Sequence, residues 1–209
     1  MARRIVDDAS LTAVADAIRE RAGTSEPLVF PEGFVSAVEG IPDLLEQSLT
    51  DTLIEYSNSN IAEFKSSYTF YKRTRLSFVD LPKLTYVPNW CFASCPHLEI
   101  VNLPSIHTIA DNGLYGTPIS KLDCPKLANI RDGALGSCNN LTALILKVDD
   151  VARLTNVSAL QNTPIANGTG FIYVPRHLVN RYKKETNWLN FANQIRAIDD
   201  YPEITGGAV

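Results

Sequence analysis

The chain has little of what catalysis, membranes or nucleic acids require. Its 209 residues hold three histidines, four cysteines and one methionine. No stretch reaches the roughly 18 consecutive apolar residues of a bilayer-spanning helix, so membrane insertion is not expected. Cationic dominance is missing too: 19 Lys and Arg stand against 23 Asp and Glu, a net charge of -4. A nucleic-acid partner, which would need a concentrated basic face to displace counterions, is therefore not expected. The opening segment has arginines at positions 3 and 4, but Asp7 and Asp8 follow and no apolar core succeeds them. It does not read as a signal peptide, and synthesis in a cytoplasm is expected. A content of 45% hydrophobic and 20% charged residues excludes a disordered chain, and the length suffices for one large domain or two small ones.

Catalytic motifs are absent as well. His97 and His107 fall in loops with no Cys or carboxylate at zinc-ligand spacing, and His177 stands alone. Gly168-Thr169-Gly170 is a loop before a strand, not a phosphate cradle, and no nucleophile elbow occurs. The adjacent pairs Asp149-Asp150 and Asp199-Asp200 read as solvated rather than as a metal site or an acid/base couple. The expectation is a non-enzymatic protein with no catalytic residue, no cofactor and no metal.

What the chain does have is a period. Leu84, Ile106 and Leu127 step by 22 and 21, and Val87, Ile109 and Ile130 repeat those steps. Leu98, Ile119 and Leu141 form another apolar column, as do Leu103, Cys124 and Leu146, and Phe70, Phe92, Leu114 and Leu135. Ile61 and Phe64 open the series one residue out of step, and a degenerate coil runs from Val151 through Leu160 to Ile165. That makes about five coils. Period-two alternation around Val79, Leu81, Val101 and Leu103 predicts a short strand in each coil, ended by Pro82, Pro104 and Pro125. A coil this short cannot bury its apolar face alone and must stack on its neighbours, so a short solenoid follows.

The cysteines obey the same columns. Cys91 aligns with Gly113 and Ala134, Cys124 with Leu103, and Cys95 with Cys138 two coils on. Two coils separate that last pair by about 9–10 Å, beyond disulfide reach. All four are expected to be free thiols acting as small buried hydrophobes. Lys72, Arg73 and Arg75, and then Arg176, Arg181, Lys183 and Lys184, read as solvated faces, or alternatively as a contact for an anionic polymer such as a cell-wall glycan.

Leu84, Val87, Cys91, Phe92, Cys95, Leu98, Val101, Leu103 and Pro104 together resemble the BspA-type leucine-rich repeat. The resemblance covers about half the chain and implies fold more than function, because that repeat serves surface adhesins, phage proteins and eukaryotic proteins alike. Coil three departs from it, with Thr117-Pro118 where the others have a Cys, Arg or Asn pair; a reshaped loop and an unchanged core should result.

Both ends should carry caps. Residues 171–174 read as a final strand, Pro175 as the first position of a helix bearing Leu178, Val179 and Tyr182, and Trp188, Phe191 and Ile195 as one face of a second helix. Trp188 reads as a capping anchor rather than a ligand platform, and residues 201–209 as a loose tail. At the other end, Ser10 caps a helix carrying Leu11, Val14 and Ile18, and Pro31 opens another carrying Phe34, Val38 and Ile41. Ala17-Ile18-Arg19, Gly23-Thr24-Ser25 and Phe30 through Phe34 resemble an N-terminal module of virion and tail-associated proteins in phages of Gram-positive bacteria, which implies a mounting role. The alternative is a cap on the first coil.

The expected fold is thus α+β: an N-terminal helical module over 1–42, a strand and turn over 43–60, BspA-like repeats over 61–170, a strand and helical cap over 171–200, and the tail. Leu11, Val14, Ile18, Phe30, Phe34, Val38 and Ile41 exceed what so small a unit buries internally, so they are expected to contact another copy, with a homotrimer the first guess, or other virion proteins. The expected function is a phage virion structural protein of tail, fibre, baseplate or head, showing a repeat surface to a host glycan or protein. The alternatives are a bacterial BspA-like surface adhesin and an intracellular interaction scaffold.

Overall fold

The computed structural model describes residues 53–205, within the second of the two units of the chain, Asp51–Val209. The expected N-terminal helices, with Leu11, Val14, Ile18, Phe30, Phe34, Val38 and Ile41, lie outside the described residues, as do residues 206–209.

Repeated columns become stacked rungs. On one face, strands β1 (Glu55–Ser57), β2 (Phe78–Asp80), β4 (Ile100–Asn102), β6 (Lys121–Asp123), β8 (Ala143–Ile145), β10 (Phe171–Val174) and β11 (Ile195–Ala197) succeed one another. On the second face run β3 (Tyr86–Val87), β5 (Thr108–Ile109), β7 (Asn129–Ile130) and β9 (Arg153–Leu154), each paired in parallel with the next. Register follows the periodicity: Tyr56, Val79 and Val101 align, as do Leu122, Leu144, Ile172 and Ile195. The columns headed by Leu84, Val87, Leu98, Leu103 and Phe70 are all buried in one core. Each such side chain contributes about 1.5–3 kcal/mol on leaving water.

A third ladder of backbone bonds runs through the turns. In each coil the N–H groups of alternate turn residues donate to carbonyls of the following coil: Tyr68 to Asn89, Phe70 to Cys91 and Lys72 to Ala93, then Trp90 to Asp111, Phe92 to Gly113 and Ser94 to Tyr115, and Asn112 to Asp132 and Leu114 to Ala134. The backbone reaches this arrangement through two left-handed residues per turn. Tyr68, Trp90, Asn112 and Gly133 form one such column, with φ between 56° and 65°; Lys72, Ser94, Gly116, Ser137 and Asn162 form the other.

One column inside the turns is polar. Thr117 donates its hydroxyl to the Leu114 carbonyl at 2.9 Å, and Thr163 does the same to Leu160 at 2.7 Å. Cys95 and Cys138 hold the equivalent places, their thiols donating to Phe70 and Leu114 of the preceding coils at 3.0 and 3.2 Å. Thr is therefore a substitute for Cys at this position: a small side chain with one donor for a buried carbonyl. All four cysteines are free and buried. Arg73, expected on a solvated face, heads the same column and is buried, since its place in the turn is the one that Cys95, Thr117 and Cys138 hold in later coils.

Coil three is where the first face breaks. One residue fewer separates Thr117 from Ile119 than Cys95 from Leu98 or Cys138 from Leu141. Ile119 and Thr117 stay buried, so the core is kept as expected, but the strands do not close up. β1, β2 and β4 form one sheet and β6, β8, β10 and β11 another, with no pairing between β4 and β6. Val101 at this seam is only half-buried, whereas Val79 and Leu122 on either side are fully buried. Side chains record the same break. Asn102 turns back to donate to Asp80 at 2.7 Å, while Asp123 pairs forward with Lys147 at 2.8 Å and keeps one oxygen, Oδ1, buried without a partner.

The C-terminal segment differs from expectation in kind. The first helix shrinks to a 3-10 turn at Arg176–Leu178 and one α turn, α1 (Val179–Tyr182). The second is a kinked 3-10 segment, Trp188–Gln194, and Ile195, expected on its face, begins β11 instead. Edge pairing to β10 outweighs helix continuation here because β10 would otherwise leave its ladder open. Nor is the whole tail loose. Residues 202–205 form a further 3-10 turn, and Tyr201, Ile204 and Ile198 pack over Ala143, Ile145 and Tyr173 on the outer side of the sheet, with Lys121 Nζ bonded to the Ile204 carbonyl at 2.6 Å.

Candidate functional site

The first left-handed column holds Tyr68 and Trp90, at φ 65° and 58°. Bulky residues at such angles cost about 1–3 kcal/mol each, and the same column in the next coils carries Asn112 and Gly133, which suit the conformation. Folding alone therefore does not account for the two aromatics.

Their side chains build a row. The Tyr68 and Trp90 rings are parallel within 3°, with centroids 6.2 Å apart. Tyr71 stands edge-on to both, at 5.4 and 6.0 Å, and Tyr115 continues the row 6.1 Å beyond Trp90. Tyr68 is 53% exposed, and Tyr71, Trp90 and Tyr115 are half-buried. Lys72, exposed, holds its ammonium 5.0 Å from the Tyr71 ring centroid, within cation–π range. Past Tyr115 the row turns polar: the Ser137 hydroxyl donates to the Tyr115 phenol oxygen at 3.1 Å, and the Asn162 amide donates to Ser137 at 3.3 Å. Rings and hydroxyls thus follow one another along the stacking direction, with no aliphatic side chain among them.

None of these aromatics stood out in the sequence, although the signal was there. Tyr68 and Trp90 lie two residues before Phe70 and Phe92, so they share the same spacing. Of the earlier candidates, Lys72 joins the row. The second basic group is spoken for in part: Arg181 pairs with Asp150 at 2.7 Å, and Arg176 with Asp200 and Asp199. Of the acidic residues expected to be solvated, Asp150, Asp199 and Asp200 are thus ion-paired partners of that group, though they remain at the surface. His97, His107 and His177 are exposed and separate, and among the described residues no group of three or more His, Cys, Asp or Glu could hold a metal. No helix among the described residues is long and apolar enough to cross a membrane.

A cleft of about 500 Å³ lies where the last coil meets the cap, lined by Asp150, Arg153, Thr155, Arg181, Glu185 and Asn187. Its polar groups mostly serve structure. Asn187 donates to the Leu154 and Thr155 carbonyls at 2.8 and 3.0 Å, and the Asp150 carboxyl is held below its usual range by the Val151 N–H and the Arg181 charge. Trp188, buried and bonded to Ala152, is the anchor of this junction and no ligand platform.

A family model described as BspA type leucine-rich repeat region, in six copies, matches residues 63–169. The solved structure titled pneumococcal vaccine antigen PcpA is similar at 18% identity and a TM-score of 0.46, covering 68% of this chain and 41% of that one. This chain thus spans about two fifths of the length of that antigen. No curated protein matches the chain.

Proposed function

Because the chain belongs to the BspA-type leucine-rich repeat family, we propose that it is a non-enzymatic recognition protein of a phage virion, whose solenoid shows a binding surface to the host. The observation that carries the recognition half is the row of Tyr68, Tyr71, Trp90 and Tyr115, of which Tyr68 and Trp90 are kept at a conformational cost. Support for the virion half comes from the likeness of Ala17-Ile18-Arg19 and Phe30 through Phe34 to the mounting module of tail-associated proteins. In this reading Leu11, Val14, Ile18, Phe30, Phe34, Val38 and Ile41 join copies of the chain, as a trimer, or hold it to other virion proteins.

Two measurements test it. Antibody raised against the chain should label purified phage particles; label confined to the cell envelope of an uninfected bacterium would establish the adhesin reading instead. Light scattering should find an oligomer for the full chain and a folded monomer after removal of residues 1–42. A full-length monomer, with a truncated chain that does not fold, would leave the helices as a cap and remove the mounting role.

A further inference from the structure

We infer that the aromatic row binds a linear β-linked polysaccharide laid along the stacking direction, with an acidic substituent beside Lys72. This deepens the recognition reading above and rests on it, but not on the virion assignment.

Three observations select that ligand. First, the row runs from coil to coil with one group from each: Tyr68 and Trp90 from one left-handed column, Tyr115 from a neighbouring position, and Ser137 and Asn162 from the other left-handed column. Successive ring centroids lie 6.2 and 6.1 Å apart on rungs that stack at about 4.8 Å, so an extended chain laid along the row meets a succession of contacts. Tyr68, Trp90 and Tyr115 supply three, and Ser137 and Asn162 two more. Second, its chemistry is that of a sugar site. A pyranose has apolar C–H faces, which pack on aromatic rings, and a rim of hydroxyls, which pair with Tyr, Ser and Asn; an aliphatic protein patch would be met by Leu, Ile or Met, and the row has none. Third, Lys72 brings a positive charge to the row, 5.0 Å from the Tyr71 ring, so a carboxylate on the polymer is favoured over an amine there. Strain points the same way. Tyr68 and Trp90 sit where Asn112 and Gly133 show what the backbone prefers, and residues kept in unfavourable conformations cluster at ligand clamps.

The conformational preference also supplies a clean test. Tyr68→Asn and Trp90→Asn, together in the full-length chain, install the residue that coil three already carries in this column. Thermal melting should stay within a few degrees of wild type, which separates binding from folding. The probes are peptidoglycan glycan strands freed of peptide, which are β-1,4-linked and carry a carboxylate on alternate sugars, and chitohexaose, which has a similar backbone without the carboxylate. By calorimetry, the wild-type chain should bind both, the glycan strands more tightly. The double variant should bind either about tenfold or more weakly, and Lys72→Gln should abolish the preference for the acidic strands while sparing chitohexaose. Wild-type protein that binds neither probe, or a well-folded double variant that binds as wild type, would overturn the inference. If neither probe binds and yet the double variant loses attachment to host cells, the partner is of another class: the polysaccharide fails and the recognition reading stands. Labelled particles with unchanged attachment in the double variant would remove the row from recognition and leave only the virion assignment.

Discussion

Trp188 donates its indole N–H to the carbonyl of Ala152 at 2.6 Å, while the N–H of that same Ala152 donates to the Tyr182 hydroxyl at 2.9 Å. One residue of the last coil is thus held at both backbone groups by the cap, and the two rings that hold it lie edge to face, 5.3 Å apart. Polar backbone that would otherwise await a further coil finds its partners in side chains. Trp188→Ala is expected to cost about 3–5 kcal/mol through the cavity it leaves. Trp188→Phe, which keeps a ring but orphans the Ala152 carbonyl, should cost about 1–3 kcal/mol. Urea unfolding would show the order; equal midpoints for wild type and both variants would refute the anchoring role.

The polar column in the turns predicts a substitution pattern. Thr117→Val keeps the volume but removes one of the two side-chain donors to Leu114, the other being Cys138, and should destabilise by about 1 kcal/mol. Thr117→Cys restores the residue type found at Cys95 and Cys138 and should be close to neutral. If both variants melt alike, the hydroxyl contributes nothing and the column is one of size only.

The seam predicts unequal tolerance along one column. Leu122→Asp places a carboxylate in a fully buried site and should cost several kcal/mol or abolish folding. Val101→Asp, half-buried beside the unpaired strand edge, should be milder by about 1 kcal/mol or more because water reaches it. A larger loss at Val101 than at Leu122 would contradict the break between β4 and β6.

The thiols give a pH dependence. Burial pushes the Cys95 thiol up to about 11, and Cys91 and Cys124 further still. In the unfolded chain these groups ionise at about pH 8.5. Above that pH the unfolded state binds fewer protons than the folded one, so stability is complete below it and falls as pH rises toward the folded values. Urea midpoints should be flat from neutrality to about pH 8 and then decline. Four thiols should react with a thiol reagent in denaturant, and far more slowly in the native protein; rapid native reaction would mean that the columns are not closed.

Much of this molecule was legible because every coil repeats one length. Leu84, Val87, Leu98 and Leu103 reveal their columns by spacing alone, and burial follows from the need to stack. β11 was hidden by coincidence: Trp188, Phe191 and Ile195 satisfy a helical spacing, although Ile172 and Ile195 lie 23 apart, near the repeat itself. Tyr68 and Trp90 were hidden for a different reason. They sit beside the core columns, and only backbone angles reveal that they occupy places better suited to Asn or Gly. The missing residue after Thr117 could be counted in the sequence, but that it opens a sheet depends on how the neighbouring strands meet.

That opening has a mechanical side. At that seam the β4 to β6 link between successive coils is absent, and the load passes through the β5 to β7 pairing and the turn bonds Asn112 to Asp132, Leu114 to Ala134 and Gly116 to Gly136. Pulled from its two ends, the solenoid should yield first around Val101, as a spring with one soft turn. A protein tethered at one end and gripping a moving surface at the other would take up strain there, and coils on either side would keep their shape while it did.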